Sequence, residues 1–272
     1  MGGMALHVLE HVKRPRNALY LHNQPIKTGT SVPPQAYSRL LNLRSRATLE
    51  NMTPPVHAII FDLDGTLLNT ITDIANCANT VLESWALPVH PVNRYAELVG
   101  DGLANLARKV LPPEHVGDAS VSRFIDEYRV HYQDRWNETS TWYPGIPELL
   151  RELSNSGIPM AILSNKRDDF TKVCVSSFFP TIAFQQVRGE RAGVPIKPNP
   201  QSALEIVESL NVKPENCLFV GDSEIDIETG IRAGMTSVGV LWGFRPRFML
   251  EEAGAHVLVS RPEELLGLLG AG

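Results

Sequence analysis

The chain lacks most of the features that would mark it for an oxidising compartment, a membrane or a nucleic acid. It has three cysteines, Cys77, Cys174 and Cys217, far apart and odd in number. Such a set offers neither metal-ligand spacing nor a disulfide framework, so buried thiols in a reducing compartment are expected. No apolar stretch reaches the roughly 18 residues of a membrane span. The net charge of −5 provides no basic stripe for a nucleic acid. What is present is 43% apolar and 20% charged residues over 272 positions, enough for a real core in one large domain or two modest ones. A cytoplasmic protein without nucleic-acid or membrane partners is expected, as a monomer or homodimer.

Charge is unevenly spread. Residues 1–55 hold seven Lys/Arg against Glu10 and Glu50, a balance of +5 that leaves −10 for residues 56–272. With Pro25, Pro33-Pro34 and Pro54-Pro55 and no sustained periodicity, this segment reads as a disordered basic arm. Two readings of it compete: a dispensable extension ahead of a functional start at Met52, and an organelle transit peptide.

The rest of the chain is organised around residues 56–70. Val56 to Phe61 is a short apolar run that reads as a buried strand, and it ends in Asp62-Leu63-Asp64-Gly65-Thr66. Extended geometry puts Asp62 and Asp64 on one side of the chain, and Gly65 lets the backbone turn. Acidic groups at the carboxyl end of a buried strand lie where open α/β sheets place their ligands. Two adjacent carboxylates repel unless one is protonated or a cation lies between them, and a hard, oxygen-preferring ion such as Mg2+ suits them.

From residue 71 the period changes. Ile74, Cys77, Ala78, Val81, Leu82 and Trp85 form one helical stripe, Leu98 to Leu111 suggests a second helix, and Val121 to Tyr132 a third. With no strand between them, residues 71–141 are expected to form a small helical bundle. Its polar exception is the turn Gly100-Asp101-Gly102, suited to closing over a ligand. Residues 142–272 then alternate strands (158–163, 183–187, 217–220, 236–241, 256–259) with helices (167–178, 200–210, 224–233). That order implies right-handed crossovers and a mainly parallel sheet, with the helical block inserted directly after the first strand.

Three more polar features sit at or after strand ends. Ser164-Asn165-Lys166 follows an apolar run, and Ser or Asn there also reads as a helix N-cap. Lys197 is held between prolines ahead of a helix, as a solvated loop lysine or as a pinned cation for a phosphate. Gly221-Asp222-Ser223-Glu224-Ile225-Asp226 places two carboxylates one helical turn apart, where acids also suit the helix dipole. Each feature alone is ordinary. Their order, together with an inserted lid, is not.

In combination these residues resemble the haloacid dehalogenase-like phosphohydrolase superfamily, over about residues 56–265. The four motifs are Asp62-x-Asp64-Gly65-Thr66, Ser164, Lys197, and Gly221-Asp222 with Asp226. Ser164-Asn165-Lys166, Lys197-Pro198-x-Pro200 and Val99-Gly100-Asp101-Gly102 are most similar to bacterial phosphoglycolate phosphatases. Asn69 departs from that pattern, since many relatives carry Asp or Glu there. The resemblance implies a Rossmann-like α/β core over 56–70 and 142–272 with a helical cap over 71–141. It implies a Mg2+-dependent phosphatase in which Asp62 is the nucleophile and Asp64 the acid and base. The metal would be bound by Asp62, Asp222 and the main chain of Asp64. Ser164, Asn165 and Lys197 would hold the phosphate, with Thr66 and Asp226 behind them. Gly100, Asp101 and Gly102 would shape specificity for a small phosphorylated metabolite, joined by Lys166, Arg167 and Arg245.

Rivals share part of this pattern. A phosphosugar mutase of the β-phosphoglucomutase type has the same motifs and cap. A phosphonate-cleaving relative would need a cap lysine, and Lys109 is the one available. A non-catalytic phosphate-ligand binder would tolerate loss of the nucleophile, whereas Asp62, Asp64, Lys197 and Asp222 are all present. A hydrolytic dehalogenase would need neither Asp64 nor the metal.

Overall fold

The computed structural model describes residues 55–269. The basic arm expected over residues 1–55 lies outside them except for Pro55. In chain order the elements begin with β1 (Ala58–Phe61), β2 (Leu68–Asn69), α1 (Ile71–Ser84), α2 (Tyr95–Leu98), α3 (Leu103–Val110), α4 (Asp118–Arg135) and β3 (Thr141–Trp142). They continue with α5 (Ile146–Asn155), β4 (Met160–Arg167), α6 (Asp168–Phe178), β5 (Gln186–Glu190), α7 (Gln201–Ser209) and β6 (Cys217–Gly221). α8 (Glu224–Arg232), β7 (Thr236–Val240), α9 (Arg247–Glu252) and β8 (Val257–Val259) complete the set.

Six strands form a sheet in the order β5-β4-β1-β6-β7-β8, and every pair is parallel. β1 is central, and all four of its residues are buried because helices cover both faces. Alternation along the strand divides it between two clusters. Ile59 and Phe61 pack with Leu149 and Leu153 of α5 and Val175 of α6, while Ala58 and Ile60 pack with Ala203, Ile206 and Val207 of α7. This is the Rossmann-like α/β layer structure that the alternating pattern implies, and it brings the carboxyl ends of β1, β4 and β6 side by side.

Between β1 and β4 stand the helices of the insertion. Their buried residues, from Ile74 to Tyr132, form a cluster of their own. The chain enters and leaves it through β2 and β3, a short antiparallel pair. Asp73, at the start of α1, closes the neck. Its carboxylate accepts the backbone N–H and hydroxyl of Thr139 (2.6–3.1 Å) and those of Ser140 (2.6 and 2.8 Å). Burial alone would raise the Asp73 pKa, but the hydroxyls of Ser140 and Thr139 and their N–H groups hold it below the usual 3.8.

Several elements differ from the expectation. β4 runs on to Arg167, and the next helix has Arg167 at its N-cap, so Ser164 and Asn165 are extended and cap nothing. β5 lies three residues later than expected, with mixed burial in place of an apolar core. The region 98–111 divides into α2 and α3 around Gly100 and Gly102, both at positive φ (+113° and +82°). α5 is a helix the apolar pattern did not suggest. Pro147 falls in its first turn, where the missing N–H costs nothing. All three cysteines are buried and free, and no described helix is long and apolar enough to cross a membrane.

The neck makes a testable claim. Replacing Asp73 by Ala removes the acceptor of five contacts from Thr139 and Ser140, leaving only the Ser140 hydroxyl with a second one, Trp136 O, and should cost about 2 kcal/mol near neutral pH, read from urea unfolding. A carboxylate whose folded pKa is depressed stabilises above its unfolded value and loses that contribution as pH falls through its folded value. The difference between wild type and Asp73→Ala should therefore shrink below about pH 3.8.

Candidate active site

The site forms where the strands end. Asp62 and Asp64 follow β1, Ser164, Asn165 and Lys166 lie in the last part of β4, and Asp222 follows the final glycine of β6. Gly65 is required twice over. Its φ of +91° is strained for any side chain, and a Cβ there would lie 2.4 Å from an Asp222 carboxylate oxygen. Gly243, after β7, is pressed against Asp222 from another side, where a Cβ would lie 2.2 Å from the Asp222 Cβ. Asp222 thus sits in a slot between two turns, and a larger residue at either one would displace it.

At the centre is a buried lysine. Lys197 Nζ donates to Asp62 Oδ1 (2.6 Å) and to Asp226 Oδ1 (2.7 Å), with its side chain 3% exposed. Asp226 uses its other oxygen to accept the Ser223 hydroxyl (2.6 Å) and N–H (3.1 Å), closing a capping box at the start of α8. Asp222 accepts the Phe244 N–H (2.7 Å) and, more loosely, the Thr66 hydroxyl (3.3 Å). Carboxylate oxygens of Asp62, Asp222 and Asp226 all lie within 4.8 Å of one another. Burial pushes the Asp62 carboxyl well up; Lys197 opposes that shift, and the Asp226 and Asp222 charges add to it. Burial and Asp226 likewise raise Asp222 to about 7.

Asp64 faces the other way, toward the insertion. Its Oδ1 accepts the Thr70 hydroxyl (2.8 Å) and the Lys166 ammonium (2.8 Å). Lys166 also reaches the hydroxyl of Tyr132 on α4 (3.1 Å). Two further core side chains hold consecutive carbonyls of the turn 99–102. Arg245 Nη2 donates to Val99 O (2.7 Å), and Asn165 Nδ2 donates to Gly100 O (2.9 Å). Between these walls lies a cavity of about 160 Å³ lined by Asp62, Asp64, Ser164, Lys197 and Asp222 below and by Leu103, Tyr128 and Arg129 above.

The sequence profile of haloacid dehalogenase-like hydrolases matches residues 59–240. That span is two thirds of the chain and contains every carboxylate of the site. The chain belongs to that family. The phosphoglycolate phosphatase of Aquifex aeolicus is 31% identical over 219 residues, covering 79% of this chain and 97% of that protein. The one from Neisseria gonorrhoeae is 29% identical over 217 residues, covering 79% and 90%. A crystal structure from Lactobacillus delbrueckii subsp. bulgaricus superposes with a TM-score of 0.74 at 29% identity, over 80% of this chain and all of its own.

Within this haloacid dehalogenase-like hydrolase, most of the expected residues meet at the cavity. Asn165, expected at the phosphate, lines the cavity, and its side-chain amide is engaged by the chain itself. Its oxygen accepts the Lys197 N–H (2.9 Å) and its two amide hydrogens go to Lys197 O (3.0 Å) and Gly100 O. Asp101 does not line the cavity; its carboxylate pairs with Lys109 (2.5 Å), which likewise stays outside, so a cap lysine poised for Schiff-base chemistry is absent among the described cavity residues. Thr66 reaches Asp222 rather than Asp62. The acidic cluster joins Asp226 to Asp62 and Asp222, and the Asp64 side chain turns to Lys166, which leaves its main chain for the expected metal role. Sequence reasoning missed Thr70, Tyr132 and Phe244 as site residues. Thr70 stands six residues after Asp64 and Phe244 follows the glycine that packs on Asp222, but neither spacing identifies a partner without the fold.

The donor set fits a divalent cation. Three buried carboxylates face one ammonium, an excess of two negative charges made of hard oxygen ligands. A raised carboxylate pKa in the folded state means that stability falls as pH climbs from 3.8 toward about 7 and stays reduced above it. In chelator, thermal melting should therefore give a lower Tm at pH 8 than at pH 5.5. Asp222→Asn should flatten that slope. A divalent cation should raise the Tm of wild type at pH 8 and leave Asp222→Asn unmoved. Equal slopes for the two proteins would remove Asp222 as the source.

Proposed function

We propose that this hydrolase is a Mg2+-dependent phosphatase that works through an aspartyl-phosphate on Asp62, with 2-phosphoglycolate or a similar small phosphorylated metabolite as substrate. The observation that carries the reading is the buried chain Asp62–Lys197–Asp226. It holds one oxygen of Asp62 while the other has no protein donor among the described residues, and it lies on a cavity that Asp64 and Ser164 also line.

On this reading the free oxygen of Asp62 attacks phosphorus, the bond to the leaving oxygen breaks, and Asp64 delivers a proton to that oxygen. Water then attacks the aspartyl-phosphate, Asp64 takes the water's proton, and inorganic phosphate leaves as the Asp62 carboxylate is restored. Lys197 offsets the charge of Asp62, which would otherwise repel a phosphate, and with the Ser164 hydroxyl it stabilises the transferring group. Asp226 holds Lys197 in place. Mg2+ would be held by the Asp62 and Asp222 carboxylates with the main-chain carbonyl of Asp64, and when bound it would neutralise charge on the phosphoryl oxygens. The turn at Gly100 and Gly102, with Arg245 beneath it, limits the space for the leaving group and favours a small one. The curated relatives bear the name phosphoglycolate phosphatase, which supports the choice of substrate.

The test is inorganic phosphate release, with and without Mg2+, from 2-phosphoglycolate, phosphosugars, nucleoside monophosphates and pyrophosphate. Wild type should act best on 2-phosphoglycolate, and Asp62→Asn should lose about 10³-fold or more in kcat. Release that survives in Asp62→Asn would remove the nucleophile. A requirement for a sugar bisphosphate, without net hydrolysis, would assign the mutase reaction instead.

A further inference from the structure

Lys166 is a cation, its side chain 11% exposed, that the reaction as written does not use. It lies on β4, two residues beyond Ser164, where the pairing with β5 is irregular, and its side chain reaches Asp64 just past the end of β1. Its ammonium touches three groups: Asp64 Oδ1 at 2.8 Å, Tyr132 Oη at 3.1 Å and Cys174 Sγ at 3.9 Å. It also sits 5.4 Å above the Tyr132 ring. A buried ammonium has to be paired, and Asp64 pairs it. That need does not explain the remaining geometry. Lys166 and Thr70 both bind the same oxygen of Asp64, and Oδ2 has no protein donor among the described residues. With Oδ1 fixed from two directions, the carboxyl plane cannot turn, and any proton Asp64 carries is directed to Oδ2.

The second partner is equally specific. Tyr132 belongs to α4 and is buried in the cluster of the insertion, whereas Asp64 and Lys166 belong to the sheet. It stacks on Tyr128 (5.2 Å between ring centroids) and leans on Phe170 of α6 (5.3 Å). The Tyr132 hydroxyl therefore arrives at Lys166 only when α4 lies over the cavity as it does here. The ammonium is bound at once by the sheet and by the insertion.

We propose that Lys166 is a positioning residue for Asp64, held by Tyr132, so that proton transfer to the leaving group is aligned only while the helical insertion covers the cavity. This rests on the phosphatase reading above and adds to it a residue that sets which esters are cleaved fast. The proton moves from Asp64 Oδ2 to the leaving alkoxide as the bond to phosphorus breaks, and Lys166 keeps its own protons throughout. Esters of poorly acidic alcohols need that proton, whereas an aryloxide such as 4-nitrophenolate leaves without it.

Leaving-group acidity therefore separates this role from a structural one. Steady-state kinetics would compare the best aliphatic phosphate ester of the panel with 4-nitrophenyl phosphate, using wild type, Lys166→Met, Tyr132→Phe and Asp64→Asn. Lys166→Met should lose about 100-fold in kcat on the aliphatic ester, at least ten times its loss on the aryl ester, with KM changed little. Tyr132→Phe removes a single oxygen and leaves the packing intact; its loss should be smaller, about 3- to 10-fold, and biased the same way. Lys166→Met combined with Asp64→Asn should be no slower on the aliphatic ester than Asp64→Asn alone. Equal losses on the two esters in Lys166→Met, beside a biased loss in Asp64→Asn, would overturn the role of Lys166 and leave the phosphatase reading standing. An unbiased loss in Tyr132→Phe would overturn the dependence on the insertion. Wild-type protein inactive on both esters would overturn the phosphatase reading and this role together.

Discussion

A single buried ammonium holds the site together. Lys197 lies between Asp62 and Asp226 with almost no exposure and bridges the two carboxylates. Removing one member of such a set leaves an uncompensated charge in a dry environment. The requirement extends outward. Asp226 stays in place because Ser223 caps α8 around it, and the main chain of Lys197 stays in place because Asn165 binds it on both sides.

Close packing is the second constraint. Gly65 and Gly243 crowd Asp222, and at Gly221 a Cβ would lie 2.2 Å from the Asp226 Cβ. Glycine at these three points lets the backbone come within reach of two carboxylates, Asp222 and Asp226. The electrostatic outcome is a cluster whose negative charge exceeds what Lys197 neutralises. Burial and mutual repulsion raise the pKa values of Asp62 and Asp222. The same features make an apo site costly and a cation-loaded one favourable.

The helical insertion meets the sheet through a few directed contacts. Asn165, Lys166 and Arg245 reach Gly100, Tyr132 and Val99. Successive residues of β4 divide the work: Ser164 faces the cavity, Asn165 joins the Gly100 turn to the Lys197 loop, and Lys166 joins α4 to Asp64. The insertion has its own apolar cluster and a neck closed by Asp73, and beside these polar ties it packs on the core through Tyr132 and Trp136 against Phe170 and through Trp136 against Phe178.

The sequence by itself determined the parallel sheet, the inserted helices and the main residues of the site. Apolar runs on strand periods, one helical stripe after another, and the acids that follow β1 and β6 are local signals that need no distant partner. It did not reveal α5, whose apolar residues stand behind Pro144-Gly145, or the extension of β4 through Ser164 to Arg167, because Ser and Asn favour helix caps when read alone. It left open what the Asn165 side chain binds, and it placed Asp101 at a cavity that Asp101 does not line. Whether an amide side chain binds a ligand or a neighbouring backbone depends on what lies within 3 Å, and those neighbours come from 65 and 32 residues away in the chain. Tertiary structure alone decided that Asp64 faces Lys166, that Asp226 joins Asp62 and Asp222, and that Tyr132 closes over them. Hydrogen bonds and ion pairs act over a few ångströms, and only the completed fold sets which groups lie that close.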